Sequence, residues 1–216
     1  MLDNYECLIL ILMSAMNIPR SSFPRIIIIG GGFAGISLAK ELSKKEVQVL
    51  LLDKNNYHTF QPLLYQVSTG GLEPDSIAYP IRKILKDYPN FFFRLANVKE
   101  INSEKKELIT NIGAIDYDYL VLATGSETNF FGNTEIEKNG MVMKSIPQSL
   151  NLRSLILENF EQALLTDDLH KRDALMNFVI VGGGPTGVEL AGALAEIKKL
   201  KIFWRSWGCR FGKIHV

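Results

Sequence analysis

Two stretches of the 216-residue chain carry the same pattern: a run of branched apolar residues, three glycines, then apolar positions at helical spacing. Arg25 to Ile29 (RIIII) leads into Gly30-Gly31-Gly32-Phe33-Ala34-Gly35, after which Ile36, Ala39 and Leu42 recur on one helical face with Leu38 beside them. This order predicts a strand, a tight turn and a helix. A second strand is predicted over Val47–Leu52 and ends at Asp53. The device returns 152 residues later, where Asn177–Val181 (NFVIV) meets Gly182-Gly183-Gly184-Pro185-Thr186-Gly187 and a helical pattern from Val188 to Glu196. Between the copies, Phe91–Asn111 reads as short strands around the turn Ser103–Lys106, with another turn at Asn111-Ile112-Gly113, which together make a small β meander. Tyr119–Ala123 (YLVLA) is a continuous apolar run, expected to be a buried parallel strand that ends at Thr124-Gly125. Ser145 and Gln148 have capping-box spacing, and Leu152, Leu155, Ile156, Phe160, Ala163 and Leu164 mark one face of a helix leading to the second strand.

The fold class that follows is α/β. A Rossmann-like dinucleotide-binding domain with its meander is expected over residues 25–144, and a connecting helix plus the start of a second, incomplete Rossmann-like domain over 145–196. Residues 1–24 read as an N-terminal extension, and 197–216 as an aberrant or truncated tail. The length fits one full domain and part of another.

Composition narrows the class without changing it. Apolar residues make up 47% and charged residues 22%, which excludes wholesale disorder, collagen and coiled coil. A net charge of +1 offers no global field to attract nucleic acid. Cys7 and Cys209 lie at opposite ends with no CxxC spacing, so no zinc ribbon or local dithiol centre is expected, no metal site is assigned, and a reducing cytoplasmic environment is the default. The apolar decapeptide Cys7–Met16 would reach only about 15 Å as a helix, roughly half a bilayer core. It follows Asp3 and Glu6 instead of a basic region, which argues against a signal peptide. Its leading interpretation is an upstream extension from a misassigned start, with an apolar anchor or a buried strand as alternatives. Ile197–Val216 has no acidic residue while holding both tryptophans and six of the Lys and Arg, a compositional break that suggests a premature stop or a frame change.

The glycines carry the candidate chemistry. Gly30 allows the tight turn, Gly32 lets backbone approach a pyrophosphate with no Cβ in the way, and Gly35 lets the helix close on the strand. The helix N-terminus adds free N–H groups and about half a positive charge. Asp53, 23 residues after Gly30, stands where a ribose-binding carboxylate belongs, its plainer alternative being a solvated strand-end acid. Gly182, Gly184 and Gly187 repeat the glycine positions, but the matching acid position falls on Arg205 in the acid-free tail. Neither copy has the Lys-Ser/Thr pair of a P-loop, so ATPase and GTPase are disfavoured.

Two such units separated by a strand ending in Ala123-Thr124-Gly125 resemble the flavoprotein disulfide and quinone reductases with two dinucleotide-binding domains. Within them, Tyr57-His58-Thr59-Phe60-Gln61-Pro62-Leu63-Leu64-Tyr65-Gln66-Val67, Gly70-Gly71-Leu72-Glu73-Pro74 and Gly184-Pro185-Thr186-Gly187-Val188-Glu189 are similar to the type II NADH dehydrogenases, over Arg25 to about Lys198. The resemblance implies FAD at Gly30, Gly32, Phe33, Ala34, Gly35 and Asp53, with Lys54 beside the adenosine and Ala123, Thr124 and Gly125 near the flavin side of the pyrophosphate. It implies NADH at Gly182, Gly184 and Gly187, and Glu189 near the nicotinamide and flavin, where the alternative is an ordinary first-turn glutamate favoured by the helix dipole. Gln61–Leu64 would approach the isoalloxazine, against the alternative that Phe60, Leu63 and Leu64 are plain core; His58 is read as a hydrogen-bonded loop residue ahead of an acid or base.

The implied activity passes electrons from NADH through FAD to a quinone, without proton pumping. A soluble ferredoxin or nitrite reductase-like flavoenzyme and a non-catalytic nucleotide-binding remnant are the alternatives. No paired-cysteine motif follows the first helix, which disfavours the disulfide-reductase branch. The same likeness implies a quinone substrate, peripheral contact with a membrane through a C-terminal region absent from this sequence, a location in the cytoplasm or on the cytoplasmic face of the inner membrane, and leaves a homodimer open. It also implies that the chain is a fragment, lacking the Gly-Asp motif and C-terminal domain of full-length members.

Overall fold

Continuous apolar runs with no polar alternation belong in strands covered on both faces, and that is where the isoleucines go. The computed structural model describes residues 13–42, 44–199 and 214–215. Its contacts divide the chain into two compact units, one made of residues up to His58 plus Ala78–Ser126, the other of Thr59–Ile77 plus the residues from Glu127 onward. These units follow neighbours in space and cut the chain elsewhere than at 24/25, 144/145 and 196/197.

In the first unit, β1 (Met13–Ser14) and β2 (Ile18–Pro19) form a hairpin. β3 (Arg25–Ile29) then leads through the glycine turn into α1 (Phe33–Leu42) and β4 (Gln48–Asp53). The short strands β5 (Tyr57–Thr59) and β6 (Ala78–Pro80) pair where the chain leaves this unit and returns to it. β7 (Phe91–Leu95) is followed by β8 (Val98–Asn102), β9 (Glu107–Thr110), β10 (Gly113–Asp116) and β11 (Tyr119–Leu122). The main sheet is parallel, in the order β11-β3-β4-β7, with Ile27 opposite Leu50 and Leu50 opposite Phe92.

Successive strand residues point to opposite faces, so the sheet builds two cores. Ile27, Ile29, Leu50 and Leu52 pack with Ile18, Leu108 and Ile115, under the meander β8-β9-β10 and the N-terminal hairpin. Ile28, Val49, Leu51 and Phe93 pack with Ile36 and Ala39 of α1 and with Ile81 and Leu85. Arg25 ties the start of β3 to the end of the meander: its backbone N–H donates to Asp118 Oδ2 at 2.6 Å, its guanidinium to Gln48 Oε1 at 2.7 Å and to the Asp116 carbonyl at 3.2 Å. Burial holds that guanidinium below the ordinary arginine value, while Asp116 and Asp118 pull the other way.

Two expectations need correction here. Phe91–Leu95 is not part of the meander but the fourth strand of the parallel sheet, because its phenylalanines complete the core against β4. Tyr119–Leu122 does join the sheet in parallel, beside β3, but it is not buried: it is an edge strand, and Tyr119 and Leu122 are each 63% exposed. The N-terminal hairpin also bears on the alternatives left open for that segment. Ile18 is fully buried, Gln48 donates to the Pro19 carbonyl at 2.9 Å, and the Arg94 guanidinium donates to the Met16 and Asn17 carbonyls, each at 2.7 Å. Ile18 is therefore a core residue. Cys7, Cys209, Arg205 and both tryptophans lie outside the described residues.

The second unit is built on three helices: α2 (Ile146–Leu165), α3 (Leu169–Leu175) and α4 (Pro185–Lys199). Ser145 caps α2 by accepting the Gln148 N–H, and the Gln148 side chain reaches back to the Lys144 N–H at 2.9 Å. Arg172 of α3 donates to the Ala163 and Thr166 carbonyls and so closes the end of α2. The core is Ile156, Phe160, Ala163, Met176, Leu194 and Ile197. Leu155 and Leu164, assigned above to the buried face, are instead exposed, since the stripe that meets α3 and α4 runs through Ile156, Phe160 and Ala163. The expected strand Asn177–Val181 shortens to β12 (Phe178–Val179), paired in parallel with β13 (Ile214–His215). The short helix Leu64–Ser68 touches both α2 and α4.

Truncating Ile18 to Ala is expected to lower the unfolding free energy by about 2–5 kcal/mol in guanidinium titrations. Leu165→Ala, at a site 85% exposed, is expected to change it by less than about 0.5 kcal/mol.

Candidate functional site

The first glycine turn sits at the carboxyl end of β3, between β4 and β11. Gly30 takes φ +110°, a conformation that side chains disfavour, and a Cβ there would overlap the Ala123 carbonyl. The Gly30 N–H donates to the Leu52 carbonyl at 2.8 Å, and the Ala123 N–H to the Ile29 carbonyl at 2.8 Å, so the turn is held from both neighbouring strands. A Cβ at Gly35 would overlap the Gly30 carbonyl oxygen and lie 3.4 Å from Ile28 Cγ2. Helix and strand thus meet at backbone distance. Around Gly32 the space is open: an added Cβ meets nothing within 4 Å. The Ile36 N–H already closes the helix on the Gly32 carbonyl at 3.0 Å, with exposed Phe33 and Ala34 in the first turn.

Asp53, at the end of β4, and His58, on β5, attach to this turn. Asp53 accepts the Gly31 N–H at 2.5 Å through Oδ2 and the Asn55 N–H at 2.7 Å through Oδ1. His58 Nδ1 lies 2.9 Å from the Gly31 carbonyl, and its ring meets Phe33 edge to face at 5.0 Å. His58 is hydrogen-bonded as expected, but on a strand, β5, and not in a loop. Sequence reasoning missed its partner, which lies 27 residues away and has no side chain to give a signal. Lys54 is exposed beside Asp53, and Thr124 and Gly125 continue, exposed, from the end of β11, with Gly125 at φ +75°. A cavity of about 530 Å³ beside the turn is lined by Phe33, Ser37, Lys40, His58, Tyr79 and Lys83, among others. The Lys83 ammonium lies over the Tyr79 ring, 5.8 Å from its centroid.

In the second unit, the second turn repeats the first in its backbone. Gly182 takes φ +114°, a Cβ at Gly187 would overlap the Gly182 carbonyl and lie 3.4 Å from Ile180 Cγ2, and the Val188 N–H donates to the Gly184 carbonyl at 3.1 Å. Gly184, like Gly32, faces open space. The surroundings differ: among the described residues a Cβ at Gly182 or Gly183 meets nothing within 4 Å, whereas at Gly30 it meets Ala123 and at Gly31 Ile81 and Asp53. Glu189 is exposed near the start of α4. Gln61–Leu63 forms a 3-10 turn; Leu64 is core, Leu63 half-buried and Phe60 44% exposed, so the plain-core alternative holds for Leu64 alone.

A parallel α/β sheet with a glycine turn of this geometry at its carboxyl edge, repeated in a second unit, defines a nucleotide-binding α/β protein. The chain belongs to the pyridine nucleotide-disulphide oxidoreductase family, whose model matches residues 24–206. It is 40% identical over 192 residues to the type II NADH:quinone oxidoreductase Ndh of Mycobacterium tuberculosis, covering 86% of this chain and 42% of that protein. It is 33% identical to the mitochondrial external alternative NAD(P)H-ubiquinone oxidoreductase B2 of Arabidopsis thaliana, over 80% of this chain and 32% of the plant protein. The structure of NDH2 from Plasmodium falciparum in complex with NADH superposes with a TM-score of 0.81 at 27% identity, over 88% of this chain and 41% of that one. This chain thus spans less than half the length of each of these relatives.

The two roles of glycine separate experimentally. Gly35→Ala is expected to cost about 1–3 kcal/mol of stability, because backbone must move to admit the methyl group. Gly32→Ala is expected to leave thermal unfolding within about 0.5 kcal/mol of the parent, measured by calorimetry.

Proposed function

We propose that this chain forms the nucleotide-binding part of a flavoprotein that oxidises NADH and passes the electrons to a quinone, with FAD at the first glycine turn and NADH at the second. The observation that carries the reading is the open space at Gly32 and Gly184 in front of a helix N-terminus, present twice with the same backbone geometry. The residues present fit a dinucleotide. An anion at such a point meets backbone N–H groups and the positive end of α1, while no Cβ stands in the way.

In this reading Gly30, Gly32, Phe33, Ala34 and Gly35 bind the FAD pyrophosphate, and Asp53, which accepts the Gly31 N–H, meets the ribose hydroxyls. Lys54 lies beside the adenosine, and Ala123, Thr124 and Gly125 line the flavin side. Gly182, Gly184 and Gly187 hold the NADH pyrophosphate, with Glu189 close to the nicotinamide. FAD, when bound, supplies the two-electron relay between a hydride donor and a quinone. The protein contributes position: two cradles rigid at backbone level hold both nucleotides without any side-chain nucleophile. Among the described residues no helix is long and apolar enough to cross a membrane. By resemblance to the relatives, the quinone is met through peripheral contact of a C-terminal region with a bilayer, and the location is the cytoplasm or the cytoplasmic face of the inner membrane.

Titrating the purified chain with FAD, followed by flavin fluorescence, is expected to give a yellow complex at about one flavin per chain. Asp53→Ala is expected to weaken it roughly 10-fold or more, the scale of a lost hydrogen bond to a charged group. A colourless product after incubation with excess FAD overturns the reading. Bleaching of bound flavin by NADH, followed by recovery on adding a ubiquinone analogue, tests the electron path.

A further inference from the structure

Two side chains, one at the end of β4 and one on β5, hold the Gly31 residue at both ends. Asp53 takes its N–H and His58 takes its carbonyl. A carbonyl oxygen only accepts, so the His58 ring must carry its proton on Nδ1 for this bond to exist. The edge-to-face contact with Phe33, at 84° between ring planes, fixes the imidazole in the orientation that the bond needs. No cis peptide occurs among the described residues, and in a trans peptide the C=O and the following N–H point in opposite directions. Pulling the Gly31 carbonyl toward His58 therefore turns the Gly32 N–H away from it. Pulling the Gly31 N–H toward Asp53 turns the Gly30 carbonyl the other way, toward Gly35, where an added Cβ would collide with it.

We propose that His58 is a positioning residue for the first glycine cradle: its Nδ1–H locks the Gly31–Gly32 peptide so that the Gly32 N–H is presented to the phosphate. The inference rests on the phosphate reading of the cradle given above and adds the group that sets its orientation. Glycine has no side chain to hold its own peptide plane, and three in a row would otherwise sample many orientations and lose that freedom on binding. A lock made before the ligand arrives removes that loss from the binding step.

The test uses the whole chain and two readouts. Imidazole 15N shifts of the ligand-free protein, with the ring neutral, are expected to show the Nδ1–H tautomer for His58; the Nε2–H tautomer overturns the lock, whether or not FAD binds. In FAD titrations, His58→Phe, which keeps the ring against Phe33 but has no donor, is expected to bind about 5–10-fold more weakly. His58→Asn places an amide N–H at the position of Nδ1 and is expected to restore affinity to within about 2-fold. If His58→Phe folds with unchanged melting behaviour and binds FAD as the parent does, or if Asn fails to rescue a folded variant, the proposal is wrong. Absence of flavin uptake by the parent chain would overturn the cradle reading and this role with it, the tautomer result then separating the two failures.

Discussion

The approach of α1 to the end of β3 at backbone distance is the constraint on which the first unit depends. A helix that follows a parallel strand must reverse direction within a few residues and still lie flat on the sheet it has just left. Here that happens only because Gly30 adopts a left-handed backbone conformation against the Ala123 carbonyl, and Gly35 receives the Gly30 carbonyl where any side chain would stand. The same turn leaves the space beside Gly32, at the start of α1, open among the described residues. Close packing and that open space are thus two consequences of one geometry.

Around that turn, the sheet is buried on both faces by different means. The meander and the N-terminal hairpin cover one side through Leu108, Ile115 and Ile18, while α1 and the turn Ile81–Ile84 cover the other through Ile36, Ala39 and Ile81. β3 and β4, at the centre, have no exposed apolar residue, and Asp53 at the end of β4 and His58 on β5 bond to the turn. The edge is different in kind: β11 is paired on one side only, and Tyr119 and Leu122 stand open. The second turn repeats the strand–turn–helix geometry at Gly182 and Gly187, with no atom of the described residues within 4 Å of a Cβ at Gly182.

The relatives carry the functional argument further than geometry alone. Identity of 40% with a type II NADH:quinone oxidoreductase extends over 86% of this chain, a span that includes the strand ending at Asp53 and the Tyr57–Val67 segment. That segment is divided between the two units: His58 belongs to the first, while Leu64 and Val67 are core residues of the second. One motif thus serves two structural purposes, the first glycine turn on one hand and the helical core that carries the second turn on the other.

The residues by themselves determined both strand–turn–helix units, the α/β class and the acid at the end of β4. These follow from backbone properties of glycine and from short periodicities, which a window of ten or fifteen residues contains. The tertiary structure alone decided that Phe91–Leu95 joins the parallel sheet, that Tyr119–Leu122 is an open edge, that Leu155 and Leu164 face outward, and that His58 bonds to Gly31. An apolar run looks the same in a meander and in a parallel sheet, and a stripe of leucines does not say which of its members a neighbouring helix will reach. Those outcomes depend on partners as far as 93 residues apart in the chain, such as Arg25 and Asp118, and no local pattern records which partner will arrive.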